Sequence, residues 1–192
     1  MMSKDLEDFG DFSSSDQYHP GTYALILTAS HQKEIAVGML GRLSVQPGYY
    51  VYIGSAFGSG GVHSRLVHHI NRASKLHWHI DYLRGITEIV EIWYTHDPHK
   101  REHEWALIFQ EMPLAVIPLL NFGASDCRCP AHLFYFTIIP DITNESPRDF
   151  YLLSIILTIL SRTRWEASPT MGLPCAKHKV LNSSSSSLLR LA

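Results

Sequence analysis

Residues 48–56 read GYYVYIGSA. Aromatic and β-branched side chains crowd Tyr49 to Ser55, the composition of a strand packed on a pleated surface. Gln46-Pro47-Gly48 in front of it is a turn signal, and Gly58 to Gly61 (GSGG) behind it breaks the chain before a helix. Upstream, Ile35 to Leu40 (IAVGML) and Thr22 to Thr28 (TYALILT) have the same strand character, with the polar SHQKE between them and the turn His19-Pro20-Gly21 ahead. Short connections between three such segments predict an antiparallel meander.

Downstream, Val62, Leu66, Ile70 and Ala73 recur at helical spacing and predict a helix over 62–73. Arg65, His69 and Arg72 fall on a neighbouring stripe of it. Leu76 to Leu83 (LHWHIDYL) fits strand or helix, and Ile86 to Tyr94 (ITEIVEIWY) is a strand. A second helix begins near Pro98, with Glu102, Trp105, Ala106 and Phe109 on one face. A carboxylate beside Trp and Phe is unusual, because burying an unpaired charge is costly. Glu104 lies on the other side of that helix. After the loop NFGASDCRCPAH, His132 to Ile139 is a further strand candidate. The expected fold is α+β: one domain with a small, mainly antiparallel sheet flanked by helices.

The chain has 192 residues, 45% of them hydrophobic and 18% charged. That suits one domain with tails and excludes a wholly disordered or fibrous chain. Residues 1–18 are expected to be an acidic, disordered tail, residues 19–140 the domain, and residues 141–192 an irregular C-terminal tail with room for one short helix at 149–161. The longest apolar candidate, Tyr151 to Leu160, is half the ~18–20 residues a membrane span needs, so no membrane is expected. The acidic start has no apolar core and does not read as a secretory signal. Three cysteines do not make a disulfide framework, and a cytoplasmic protein is expected.

Charge is unevenly spread. Five carboxylates against Lys4 give the first 18 residues −4 of a total of −2, leaving +2 on the rest. No Asp or Glu occurs from Ile35 to Ile80, where Arg42, Arg65, Arg72, Lys75 and five histidines do. A surface facing phosphate has that character, since an acid there would repel a nucleic-acid backbone.

Gly21-Thr22-Tyr23 on the first strand and Tyr52-Ile53-Gly54 on the third resemble the paired signature of the GIY-YIG nuclease superfamily. Ser55 and Ala56, the glycine-rich break, Arg65 with His69 on the next helix, and a later helical Glu continue the resemblance. The stretches GYYVYIGSA, HWHIDYL and FGASDCRCPAHLF are similar to a small family of GIY-YIG-type domains of unknown function, found alone or fused to a base-excision-repair endonuclease. This resemblance runs from Gly21 to Tyr135. It implies a metal-dependent endonuclease acting on DNA, branched or damaged forms included, with repair, recombination or restriction as its setting. It also implies one divalent ion, Mg²⁺ or Mn²⁺, held by Glu102, with Glu104 as the alternative.

By the same resemblance Tyr23 and Tyr52 face the scissile phosphate and Arg65 grips its oxygens. Guanidinium chemistry suits that role, because its planar fork matches phosphate and stays charged. His69, with an ordinary imidazole pKa of about 6.5, could handle a proton more easily than a phenol. Ser55, Arg72, His77 and His79 are the expected substrate contacts. Two departures stand out: Thr22 replaces the usual isoleucine, and the 29-residue separation of the tyrosines exceeds the short hairpin typical of the superfamily, so Ser30 to Gly48 must hold an extra strand or loop.

The second expectation is a nucleic-acid-binding module of the same fold that cleaves nothing. A zinc site at Cys127, Cys129 and His132 weighs less, because the cysteines are closer than the usual two to four residues and no fourth ligand is evident. The loop reads more simply as a compact turn shaped by Gly123 and capped by Asp126. If Leu76 to Leu83 were extended, His77, His79 and Asp81 would share one face.

Overall fold

A computed structural model describes residues 19–71 and 75–140, and the backbone of 164–168 and 175–179. Strand β1 (Thr22–Ala29) is flanked on one side by β4 (Gly48–Ser55) and on the other by β5 (Glu88–Thr95), antiparallel to both. β6 (Leu133–Phe136) pairs with the outer edge of β4. β2 (Lys33–Val37) and β3 (Gly41–Val45) form a separate two-stranded sheet. The α+β expectation holds.

β1 is buried on both faces, and that explains why its sequence is a continuous apolar run instead of an alternation. Tyr23, Leu25 and Leu27 join Tyr50 and Tyr52 in one core, closed over by Val62 and Leu66 of α1 (Gly61–Ile70) and Ile80 and Leu83 of α2 (His79–Arg84). Ala24 and Ile26 join Val51, Ile53 and Trp93 in a second core, covered by Trp105, Ala106 and Phe109 of α3 (Glu102–Glu111). The sheet is thus sandwiched between α1 with α2 and α3 alone.

Three expectations are corrected. The meander does not form: β1 pairs with β4 directly, and the segment between them folds back on itself as the β2–β3 hairpin. IAVGML is not one strand, because Gly38 takes φ +49° and residues 38–40 turn, leaving Met39 fully exposed. Of the two readings left open for LHWHIDYL the helix forms, as α2 over His79–Arg84, so His77, His79 and Asp81 do not share an extended face. The C-terminal tail, expected to be irregular, contributes two strands, β7 (Arg164–Ser168) and β8 (Cys175–Lys179), which extend the sheet from the edge of β5. That edge has unpaired backbone groups for a further strand to satisfy. The tail expected at 1–18 and the helix expected at 149–161 lie outside the described residues.

Asp81 fixes the start of α2. Its Oδ2 accepts the backbone N–H groups of His77 and Trp78, each at 2.8 Å, and its Oδ1 lies 3.0 Å from His68 Nε2. Burial alone would raise this carboxyl, but those N–H groups and the His68 ring outweigh it and hold its pKa below the ordinary value. A carboxylate with a folded pKa below its unfolded one adds stability above the unfolded value and loses it as pH falls through the folded one. Urea midpoints measured against pH are therefore expected to fall below about pH 4 for the wild type, and to fall less steeply for Asp81→Asn.

Candidate functional site

Tyr23 and Tyr52 are placed by strand register. Tyr23 sits opposite Gly54 and Leu25 opposite Tyr52, so the two phenols are diagonal neighbours on one face, with ring centroids 6.5 Å apart. The glycines of both motifs have steric reasons. A Cβ on Gly54 would lie 2.5 Å from Tyr23 Cζ, because the phenol ring lies directly over that residue. A Cβ on Gly21 would run into the Thr95 carbonyl and the Val62 side chain.

Beside these rings opens a cavity of about 380 Å³, lined by Tyr23, Tyr52, Gly54, Ser55, Arg65, His77, Trp78, His79, Glu102, Gly123, Asp126 and His132 among others. Arg65, on α1, is half-buried with its guanidinium carbon 4.4 Å from the centroid of the Trp78 ring. That cation–π contact holds the guanidinium at the cavity wall. Glu102, the first residue of α3, is 5% exposed and faces the cavity, with Lys100 Nζ 3.0 Å from its Oε1. Glu104 points elsewhere: it is exposed, and both its oxygens take Arg101 Nη1, at 2.9 and 3.0 Å. Of the two helical carboxylates, only Glu102 lines the cavity.

His69 stands behind the tyrosines and not on the cavity wall. It is 2% exposed, and its Nε2 lies 2.8 Å from the Tyr23 hydroxyl. Burial is the main reason its pKa falls to about 3, with the neighbouring His68 adding to it, so the ring is neutral. Its Nδ1 is buried with no hydrogen-bond partner among the described residues. With the ring hydrogen on Nε2, His69 donates to the Tyr23 oxygen, the orphan atom is an acceptor, and the phenol hydrogen is free to turn into the cavity. The opposite tautomer would bury an unpaired N–H, the rarer defect. Tyr23→Phe strips the partner from Nε2 and is expected to cost about 1–3 kcal/mol in urea denaturation.

Both phenols are shifted away from ionisation. Burial, then the mutual presence of Tyr23 and Tyr52, pushes Tyr23 well above the ordinary value. Burial and the Glu102 carboxylate do the same to Tyr52, and Arg65 only partly opposes either shift. A phenol acting as a base is therefore disfavoured here, as is the direct proton transfer by His69 that the sequence suggested. What the pair offers the cavity is O–H donors.

His79 Nδ1 accepts the Gly123 N–H at 3.0 Å, which ties α2 to the loop before β6 and leaves Nε2 to carry the hydrogen of a neutral ring. Ser55 closes the end of β4 at the cavity, and His77 reaches its edge. Arg72 lies outside the described residues. Sequence reasoning missed Trp78 as the platform for Arg65, although an aromatic between two histidines was its signal. It also missed Asp126 as a cavity residue, and Lys100 as the partner of Glu102.

Next to Glu102, Cys127, Cys129 and the cavity residue His132 gather with His103 of α3, their possible ligand atoms all within 4.8 Å of one another. His103 Nδ1 lies 3.3 Å from Cys129 Sγ, and Cys127 Sγ lies 3.5 Å from His132 Nε2.

A family model described as a domain of unknown function, DUF123, matches residues 22–152. The chain belongs to the DUF123 family. That match takes in β1 to β6, and with them every cavity residue named above. No curated protein and no solved structure matches this DUF123 chain significantly. No helix among the described residues is long and apolar enough to cross a membrane.

Proposed function

We propose that this chain is a metal-dependent endonuclease of the GIY-YIG type, hydrolysing phosphodiester bonds in DNA. The observation that carries the proposal is the convergence of Tyr23, Tyr52, Arg65 and Glu102, far apart in sequence, on one open, polar cavity. The likeness of the GTY and YIG segments to the superfamily signature supports the same reading, and the steric need for Gly54 under Tyr23 gives that signature a physical basis.

The residues suit a divalent ion. Glu102 is a buried carboxylate aimed into a polar cavity, with Asp126 on the same wall. Mg²⁺ binds through one or two carboxylates while keeping several waters, so this donor set is sufficient for Mg²⁺ or Mn²⁺. When bound, such an ion supplies charge against the negative charge that develops on the phosphate, and acidifies a water. Arg65 grips the non-bridging oxygens in a bidentate fork, kept in orientation by Trp78. Tyr23 and Tyr52 donate hydrogen bonds towards the phosphate and its attacking water, positioning both. His69 acts through Tyr23 alone, fixing the direction of its hydroxyl. Ser55, His77 and His79 line the path by which a nucleic-acid backbone would enter.

One observation favours the alternative, a DNA-binding module without cleavage. Lys100 Nζ already pairs with Glu102 Oε1, so an ion would compete with that ammonium for the carboxylate. Purified protein incubated with branched, nicked and single-stranded DNA plus Mg²⁺ or Mn²⁺ separates the two. Metal-dependent strand scission on any of these supports the nuclease. Binding to all of them without scission supports the module.

A further inference from the structure

We infer that His103, Cys127, Cys129 and His132 bind a structural zinc ion that clamps the loop before β6 to the first turn of α3. In sequence the loop offers only three ligands. Folding adds the fourth, since α3 brings His103 to Cys129 across 26 positions.

The spacing fits a tetrahedral ion. Zinc–nitrogen and zinc–sulfur bonds of about 2.0–2.3 Å at tetrahedral angles place ligand atoms about 3.3–3.8 Å apart. His103 Nδ1 to Cys129 Sγ is 3.3 Å and Cys127 Sγ to His132 Nε2 is 3.5 Å, with all four atoms inside 4.8 Å. Both cysteines are free thiols. Two sulfurs and two imidazoles select zinc over the oxygen-seeking Mg²⁺. As each sulfur–zinc bond forms, its thiol releases a proton to solvent.

The surroundings are those of a prepared site. If Nδ1 of His103 takes the metal, its Nε2 lies 3.6 Å from Glu102 Oε1, longer than a hydrogen bond but on the side from which a carboxylate orients a ligating histidine. His132 is fixed through its backbone, its N–H donating to the Phe122 carbonyl at 2.8 Å and its carbonyl accepting from Ile53 N–H at 2.9 Å. Four protein ligands leave no open position, so the ion is structural. It would hold Gly123 and Asp126, which line the cavity from the same loop, against the residue next to Glu102. This inference does not depend on the nuclease proposal: the zinc would be there whether or not DNA is cut.

Full-length protein purified without chelator is expected to carry one zinc per chain by elemental analysis. Replacing it with Co²⁺ should give the visible absorption of a tetrahedral thiolate site. Zinc should protect two of the three thiols from a thiol reagent, and a chelator should expose them. Cys127→Ser, Cys129→Ser and His103→Ala should lose the metal, and Cys175→Ser should keep it. Because a variant could fail to fold, the wild-type Co²⁺ spectrum and thiol protection decide independently of the variants. Zinc far below one equivalent with no tetrahedral Co²⁺ spectrum, a Cys127–Cys129 disulfide, or zinc retained by a folded Cys127→Ser/Cys129→Ser double variant would each overturn the inference.

Discussion

Arg65→Ala is expected to lower the single-turnover rate of metal-dependent DNA cleavage by about 10²–10³-fold, the usual loss when one preorganised donor to developing charge is removed. Among the described residues Arg65 is the one arginine that lines the cavity, and nothing else named there offers a planar fork to phosphate. Arg65→Lys keeps the charge but not the fork, nor as good a stack on Trp78, so it should recover only a small part of the rate. Stability is a separate matter. Losing the contact with Trp78 should cost no more than about 1 kcal/mol. A thermal melt near that of the wild type, beside a collapsed cleavage rate, would assign Arg65 to phosphate and not to folding. Equal losses in both would argue for a surface cation with a packing role.

Gly54→Ala is expected to disturb both the packing round Tyr23 and the cavity wall. The new Cβ would stand 2.5 Å from both Cζ and the hydroxyl of Tyr23, and that ring is wedged among Tyr52, His69 and the sheet. It cannot swing aside without breaking the hydrogen bond to buried His69. Overpacking of this kind costs about 1–3 kcal/mol, and here it also moves a phenol off the cavity wall. Urea unfolding should show the destabilisation, and cleavage by the folded fraction should fall with it. Were Gly54→Ala as stable as wild type, the ring would have another place to go, and the steric account of the motif would fail.

The strands were legible because both cores leave a mark on the sequence. β1 runs apolar from Tyr23 to Leu27 and β4 is aromatic and β-branched from Tyr49 to Ile53, as a sheet covered on two faces favours, and glycines in both motifs flag the places where a ring or a carbonyl comes too close for a side chain. Tyr23, Tyr52, Arg65 and Glu102 were singled out by their likeness to a known signature, and the fold brings all four to one cavity. An insert was expected between Ser30 and Gly48, but its hairpin form was not legible, because Ile35 to Leu40 reads as one strand while Gly38 turns it and Met39 points into solvent. Burial changed the chemistry in ways a sequence hides: His69 reads as a residue that titrates near neutrality, yet it is sealed behind Tyr23 and held neutral. Long-range partners escaped for a plain reason. Nothing local to Cys129 announces His103, and nothing local to Arg65 announces Trp78. The helical carboxylates show the opposite case, where helical periodicity, together with the likeness to the family's helical Glu, separated the residue facing the cavity from the one held by Arg101.

That separation allows the most direct measurement. Wild type, Glu102→Gln and Glu104→Gln, each checked for folding, should be compared for single-turnover cleavage of end-labelled branched DNA with Mg²⁺ and with a chelator. Cleavage that needs Mg²⁺, vanishes in Glu102→Gln and persists in Glu104→Gln is the predicted result. Cleavage undiminished by the chelator or by Glu102→Gln, or lost only in Glu104→Gln, would contradict a metal-bearing site built around Tyr23, Tyr52, Arg65 and Glu102.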